Sequence, residues 1–285
     1  NLAANNKVYD GTTDATLDFE NAVLVGVIAG DSVSLIGGTA TFADKNVGTG
    51  KIVTVAGLEL TGDSAANYVL AEDSASLTAD ITARALTVTG ITAQDKVYDG
   101  TTDVVVDFSG TALDGLVEGD DVTLVTSGVS GAFADPNVGS AKPISLSELT
   151  LDGADVGNYT LTQPALTADI AAKQLTVTGV TAQNRVYDIT TDAVIDLTEA
   201  LLVGVIDGEN VTLVTSGATG AFADANAGTA KTVTVSGLAL SGTGIGNYTL
   251  LAPTATADVT PATLTISNLA ANNKVYDGTT DATLD

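Results

Sequence analysis

Apolar residues in this chain come in short runs rich in Val, Thr, Ile and Leu, separated by Gly, Asp, Asn and Ser. That punctuation predicts strands joined by turns. Between residues 85 and 170 it predicts strands at 85–89, 96–98, 103–108, 121–126, 132–134, 143–151, 159–162 and 166–170. Leu86 and Val88, and Leu149 and Leu151, flank a polar residue, as expected where one strand face is buried. Only one short segment reads as a candidate helix. It runs over residues 21–28 and recurs at 112–117 and 200–206.

The pattern repeats. Val-Tyr-Asp recurs at Tyr9, Tyr98, Tyr187 and Tyr276, always 89 residues apart. Residues 86–103 match 175–192 at 14 of 18 positions. Phe-Ala-Asp recurs at Phe42, Phe133 and Phe222. Asn-Tyr recurs at Tyr68, Tyr159 and Tyr248, and Ala-Asp followed by Ile or Val at Asp80, Asp169 and Asp258. This divides the chain into units 1–82 (lacking its first strand), 83–171, 172–260 and the start of a fourth at 261–285.

The first unit is two residues shorter between its Tyr and Phe (33 against 35) and two longer between Asn67 and Asp80 (13 against 11 from Asn158 to Asp169). Paired changes of two keep strand parity, and loops hold them most easily. Residues 1–18 are identical to 268–285, an offset of 267. An array of near-identical three-unit blocks is the expected parent.

Seven or so strands in a unit of this length suit an Ig-like β-sandwich. The expected fold is therefore all-β, tandem Ig-like sandwiches arranged end to end. Asp155-Val156-Gly157-Asn158-Tyr159 has part of an Ig tyrosine corner, although the other units carry Ser64 and Gly244 in place of the Asp, and the Ig Cys pair and core Trp are missing. A mostly-β grasp-type repeat, with its helix near Leu113, is the alternative.

Lys7-Val8-Tyr9-Asp10-Gly11-Thr12-Thr13-Asp14-Ala15, with a downstream Asn-Tyr-x-Leu and Ala-Asp-Ile, resembles the YDG-type repeat domain of large bacterial haemagglutinin-like and filamentous surface adhesins. The resemblance covers every unit. It implies a secreted or cell-surface location and an architectural role, with no catalytic residues. Unit three departs from it, because Ile189 replaces the turn Gly. A β-branched residue is costly at positive φ, so that turn either needs no positive φ or runs differently.

Composition narrows the chemistry. There is no Cys and no His, which rules out disulfides, Cys or His metal sites, and Ser-His or Cys-His dyads. A carboxylate pair remains conceivable, but acids that repeat with the fold do not look like one active site. The chain is not expected to be an enzyme. Acidic residues outnumber basic ones, 35 to 10, for a net charge of −25. Such a chain repels nucleic acid and anionic membrane. Only 16% of residues are charged and 45% are hydrophobic, so it reads as folded. No apolar run spans a bilayer, and residues 1–4 show no signal-peptide character.

Two kinds of chemical site are conceivable. Asp10 and Asp14 flank one turn, as do Asp99 and Asp103, and Asp188 and Asp192. These could hold calcium, the one cofactor considered, or the first Asp of each pair could cap the turn. An isopeptide crosslink would need a Lys, an Asn and an acid together. Lys51, Asn67 and Asp80 recur with the period, as do Lys142, Asn158 and Asp169, and Lys231, Asn247 and Asp258. A surface Lys with turn residues is the plain reading. The landmark aromatics Tyr9, Tyr98, Tyr187, Phe42, Phe133, Phe222, Tyr68, Tyr159 and Tyr248 are expected in core or turns.

The expected function is an extended stalk or fibre of an extracellular adhesin, whose partners are neighbouring repeats. One alternative is a matrix filament that self-assembles when a strand such as residues 264–267 completes another chain's first unit. The other is a calcium- or glycan-binding module.

Overall fold

A computed structural model describes residues 1–284. Strands dominate it, and the described residues contain no α-helix, only three short 3₁₀ turns. Among the described residues no helix is long and apolar enough to cross a membrane. The chain is an all-β repeat protein, as the alternation of apolar and turn residues predicts. It forms two compact bodies. One holds residues 1–96 and 101–170, the other residues 97–100 and 171–285.

In the first body, repeat 1 builds a five-stranded sheet. Its order is Lys7–Val8, Ala75–Thr82, Gly48–Thr61, Ser34–Phe42, Asp14–Ala15. The edge pair Lys7–Val8 and Ala75–Thr82 is parallel, with Lys7 beside Ile81, and its neighbours are antiparallel. Within Gly48–Thr61, Val53 and Val55 are fully buried while Thr54 faces out. That alternation is the period-2 signature of a half-buried strand. Tyr9, Phe42 and Ile81 complete the core, and the ribbon of Ala3–Ala4 with Leu17–Asp18 packs Ala4 and Leu17 against it.

Repeat 2 adds a second, smaller sheet, in which Arg84–Thr89 lies between Ala112–Asp114 and Tyr159–Thr162. It is antiparallel to the first and parallel to the second, with Tyr159 beside Arg84 and Leu161 beside Leu86. Leu86 is fully buried and joins the cluster that includes Tyr9 and Val122. The candidate helix at 112–117 is thus corrected to a strand followed by a turn. Its equivalent, Leu201–Val203, is also a strand. The segment is too short to form a helix without tertiary help, and the neighbouring strand edge satisfies its backbone instead.

In the second body, repeat 3 repeats the five-stranded order with Arg185–Val186, Thr254–Thr260, Gly228–Ser236, Thr219–Phe222 and Asp192–Ala193. Phe222, Val233, Ala255, Ala257 and Val259 form its core. Its smaller sheet places Lys173–Thr178 between Leu201–Val203 and Tyr248–Leu250.

The extra residues of both repeats lie outside strands, where they were expected. The extra residues of repeat 1 near Asp73 and Ser74 lie outside any strand. The extra residues of repeat 2 form a turn in which the Val129 amide donates to the Thr126 carbonyl. That turn divides what is one continuous strand, Ser34–Phe42, in repeat 1. Parity survives, because the side chains of Phe42 and Phe133 still point inward.

Candidate functional site

The tyrosine after each edge strand is the first element of the site. The Tyr9 amide donates to the Thr82 carbonyl, and the Tyr98 amide to Ala171, which carries the ring past the end of the sheet. Each 3₁₀ turn, Val156–Asn158 and Ile245–Asn247, delivers a second tyrosine, Tyr159 or Tyr248, in extended conformation. The two rings meet edge to face. Tyr9 and Tyr159 lie 5.4 Å apart at 76°, and Tyr98 and Tyr248 lie 5.4 Å apart at 82°. That geometry aligns a positive ring edge with a negative ring face.

A carboxylate closes each pair. In the first joint both tyrosine hydroxyls donate to Asp120 Oδ2, Tyr9 at 2.7 Å and Tyr159 at 2.6 Å. Lys45 donates to Asp120 Oδ1 at 3.0 Å, and Lys45 lies 5.8 Å from the Tyr9 ring centroid. The Val117 amide donates to the Tyr159 hydroxyl at 3.0 Å. Buried Asn158 accepts from the Val47 amide at 2.9 Å. In the second joint Tyr98 donates to Glu209 Oε1, and Tyr248 donates to Glu209 Oε2 at 2.7 Å. The Ile206 amide donates to Tyr248 at 3.0 Å.

The tyrosine hydroxyl therefore reaches a carboxylate 39 residues before it and an amide 42 before it. An Ig tyrosine corner instead turns back to backbone a few residues upstream. The electrostatics follow from the packing. Burial would push the Asp120 carboxyl up, but hydrogen bonds from Tyr159, Tyr9 and Lys45 outweigh it and hold the group below the ordinary range. Burial, then the adjacent Asp120, push the Tyr159 phenol up to about 12. The hydrogen bond to Glu209, then burial, take Tyr98 to about 12. The phenols stay neutral donors, and each joint works as a clasp.

The candidate calcium turns are arranged differently. Asp10 Oδ1 accepts from the Thr12 amide and hydroxyl, which is the turn-capping arrangement. The Lys7 ammonium sits in that turn, 2.8 Å from Asp10 and 2.9 Å from the backbone oxygens of Thr12 and Asp14. The same turn around Asp99 and Asp103 receives Lys96, which donates to the carbonyls of Thr101 and Asp103. Arg185 does this for Asp188 and Asp192. Each turn thus holds a cation of its own. Among the described residues no three acidic side chains gather as a metal site. Gly11 and Gly100 take φ of +79° and +80°, and Ile189 is held at +69°. The third turn therefore does need positive φ, and a β-branched residue adopts it.

The crosslink candidates are also engaged elsewhere. Lys51 pairs with Asp44 at 2.6 Å, Lys142 with Asp135 at 2.8 Å and Lys231 with Asp224 at 2.5 Å. Asp80, Asp169 and Asp258 accept from the amides of Gly50, Ala141 and Ala230 at a strand irregularity. Of the expected core aromatics, Tyr9, Tyr98, Phe42, Phe133, Phe222, Tyr159 and Tyr248 are buried. Tyr68 is half-buried, and Tyr187 is corrected to exposed, at 39%. The described chain places no carboxylate like Asp120 beside it. Asp120 and Glu209 are not among the sequence-predicted site residues. Their signal was the period itself, since Asp31, Asp120 and Glu209 recur at 89-residue spacing.

A model of the YDG domain matches the chain three times, over residues 1–75, 82–167 and 171–257. The chain belongs to the YDG-domain family. The three matches fall on the three repeats, and both joints are built from residues inside them. No curated protein matches the chain.

Proposed function

We propose that this chain is an architectural segment of a secreted or cell-surface adhesin, whose YDG repeats form a stalk or fibre and carry out no catalysis. The observation that carries this reading is the clasp at Asp120. A tyrosine of repeat 1 and a tyrosine of repeat 2 share one buried carboxylate, so successive units are held by interlocking side chains as well as by a short linker. A joint of this kind resists bending and transmits force. The high negative charge supports extension, because like-charged units repel. Many of the repeated acids, tyrosines and lysines pair with one another in turns and joints.

Small-angle scattering on the monomeric chain, together with versions carrying from one to several repeats, tests the reading. A maximum dimension that grows in equal steps per repeat is expected. A compact particle whose dimension grows only as the cube root of mass would overturn it.

A further inference from the structure

Each joint brings a turn of one repeat against a branched aliphatic residue of the next. In the first body Gly11 follows Tyr9-Asp10, and a Cβ added to it would lie 2.8 Å from Val117 Cγ1. In the second body Gly100 follows Tyr98-Asp99, and a Cβ there would lie 3.3 Å from Ile206 Cγ2. Carbon atoms pack best at about 3.5–4.0 Å, so both closed joints exclude a side chain at the glycine.

Val117 and Ile206 have little room to give way. The amide of each donates to the tyrosine hydroxyl of its own joint at 3.0 Å, and Val117 packs against the core around Tyr9. Branching at Cβ restricts their rotamers. Repeat 1 is built alike, with the Ile28 amide 3.0 Å from the Tyr68 hydroxyl. Ile28, Val117 and Ile206 recur at the 89-residue period. All three repeats therefore present a branched side chain at this place.

Positive φ does not by itself require the two glycines. Ile189 holds the equivalent turn at +69°, against +79° and +80° for Gly11 and Gly100. Its turn keeps the same cap, the Thr190 amide donating to Asp188, and the same basic side chain, Arg185, donating to the Asp192 carbonyl. The turn thus forms without glycine. What glycine alone permits is the close approach of the next repeat. The backbone fixes where the Ile189 Cβ stands, and no rotamer removes it.

We propose that the residue after each Tyr-Asp determines which unit can close the joint: glycine admits the branched residue that these repeats carry, and Ile189 excludes it. Repeats 1 and 2 are matched to the units that follow them. Repeat 3 does not form this joint with a unit carrying Ile or Val at the place of Val117. One position in the turn therefore sets two kinds of coupling in one chain. The inference concerns the joint alone, and it stands whether or not the chain is part of an adhesin.

Amide hydrogen exchange on the full chain tests this, with the Val117 and Ile206 amides each reporting its own joint. Gly11→Ile copies the third turn into the first. It should speed exchange at Val117 by about ten- to a hundredfold, as overpacking a close contact implies, and leave Ile206 unchanged. Gly100→Ile should do the reverse. The Tyr159 phenol gives a second reading, because opening the first joint should return it from about 12 toward 10.0. Val53 and Val55, in the large sheet of repeat 1, should stay protected in Gly11→Ile, which separates an opened joint from an unfolded repeat. A milder pair isolates the contact. With Val117→Ala, the remaining Cβ lies 3.9 Å from a methyl at position 11. Gly11→Ala should therefore speed exchange at residue 117 in the wild-type background and not in Val117→Ala. Backbone strain alone would act equally in both. Unchanged Val117 exchange in Gly11→Ile, or a Gly11→Ala effect of equal size in the two backgrounds, would overturn the proposal. If Gly11→Ile unfolds repeat 1, the milder pair decides.

Discussion

The two tyrosine joints share a plan and differ in how the acid is used. Asp120 gives one oxygen to both tyrosines and reserves the other for Lys45. Glu209 gives one oxygen to each tyrosine. The position that aligns with Lys45 is Pro136 in the next repeat, which has no cation to offer. A longer acid can span two hydroxyls, whereas a shorter one stacks them on one oxygen and leaves the other for a lysine. The ring geometry is nearly the same in both, so the rings set the joint and the acid adapts to them.

If the rings dominate, Tyr9→Ala and Tyr98→Ala should be the most damaging changes, each costing about 3–5 kcal/mol as large-to-small core substitutions do. Denaturant titration of the two variants would show it, and a loss in one joint only would break the parallel. Next comes the acid. Asp120→Ala strands two buried hydroxyls, an effect of about 1–3 kcal/mol. Glu209→Ala should match it in calorimetry if Lys45 matters little. As a control away from both joints, Ile189→Gly relieves a β-branched residue at φ +69° and should stabilise the second body by about 1–2 kcal/mol.

The alkaline response sharpens the comparison further. The Tyr98 phenol is raised from 10.0 to about 12 in the folded chain. Between those values the folded state keeps a proton that the unfolded chain has released. The stabilisation is therefore complete below pH 10 and is lost as pH rises toward 12. Tyr98→Phe should flatten that part of the stability profile, as read by denaturation at stepped pH. Lys45→Ala should have the smallest effect. Its ammonium is partly exposed, so any loss in melting temperature should vanish at high salt.

Some of this was legible in the chain, and some was not. The 89-residue period, the strand around Leu86 and the Asp10 turn cap follow from local rules of alternation and turn chemistry, whereas the strand expected over 143–151 is interrupted at residues 147–149, so that Leu149 lies outside any strand. The short segment at 112–117 misled, because its choice between helix and strand belongs to the edge of Arg84–Thr89, which lies outside any local window. Asp120 was missed for a related reason. Its partner Tyr9 is 111 residues away, and nothing in the acid's own neighbourhood separates it from the other carboxylates.

What the sequence determined by itself is the unit: its period, its inward-facing residues and its turns, since these depend on side-chain parity and backbone preference within a few residues. Only the tertiary structure decided how distant segments meet, both within a unit and between units. Parallel pairing of Tyr159–Thr162 with Arg84–Thr89, and two phenols sharing one carboxylate, bring together groups far apart along the chain. Such contacts form only when burial makes an unsatisfied hydroxyl or strand edge more costly than the order needed to pair it.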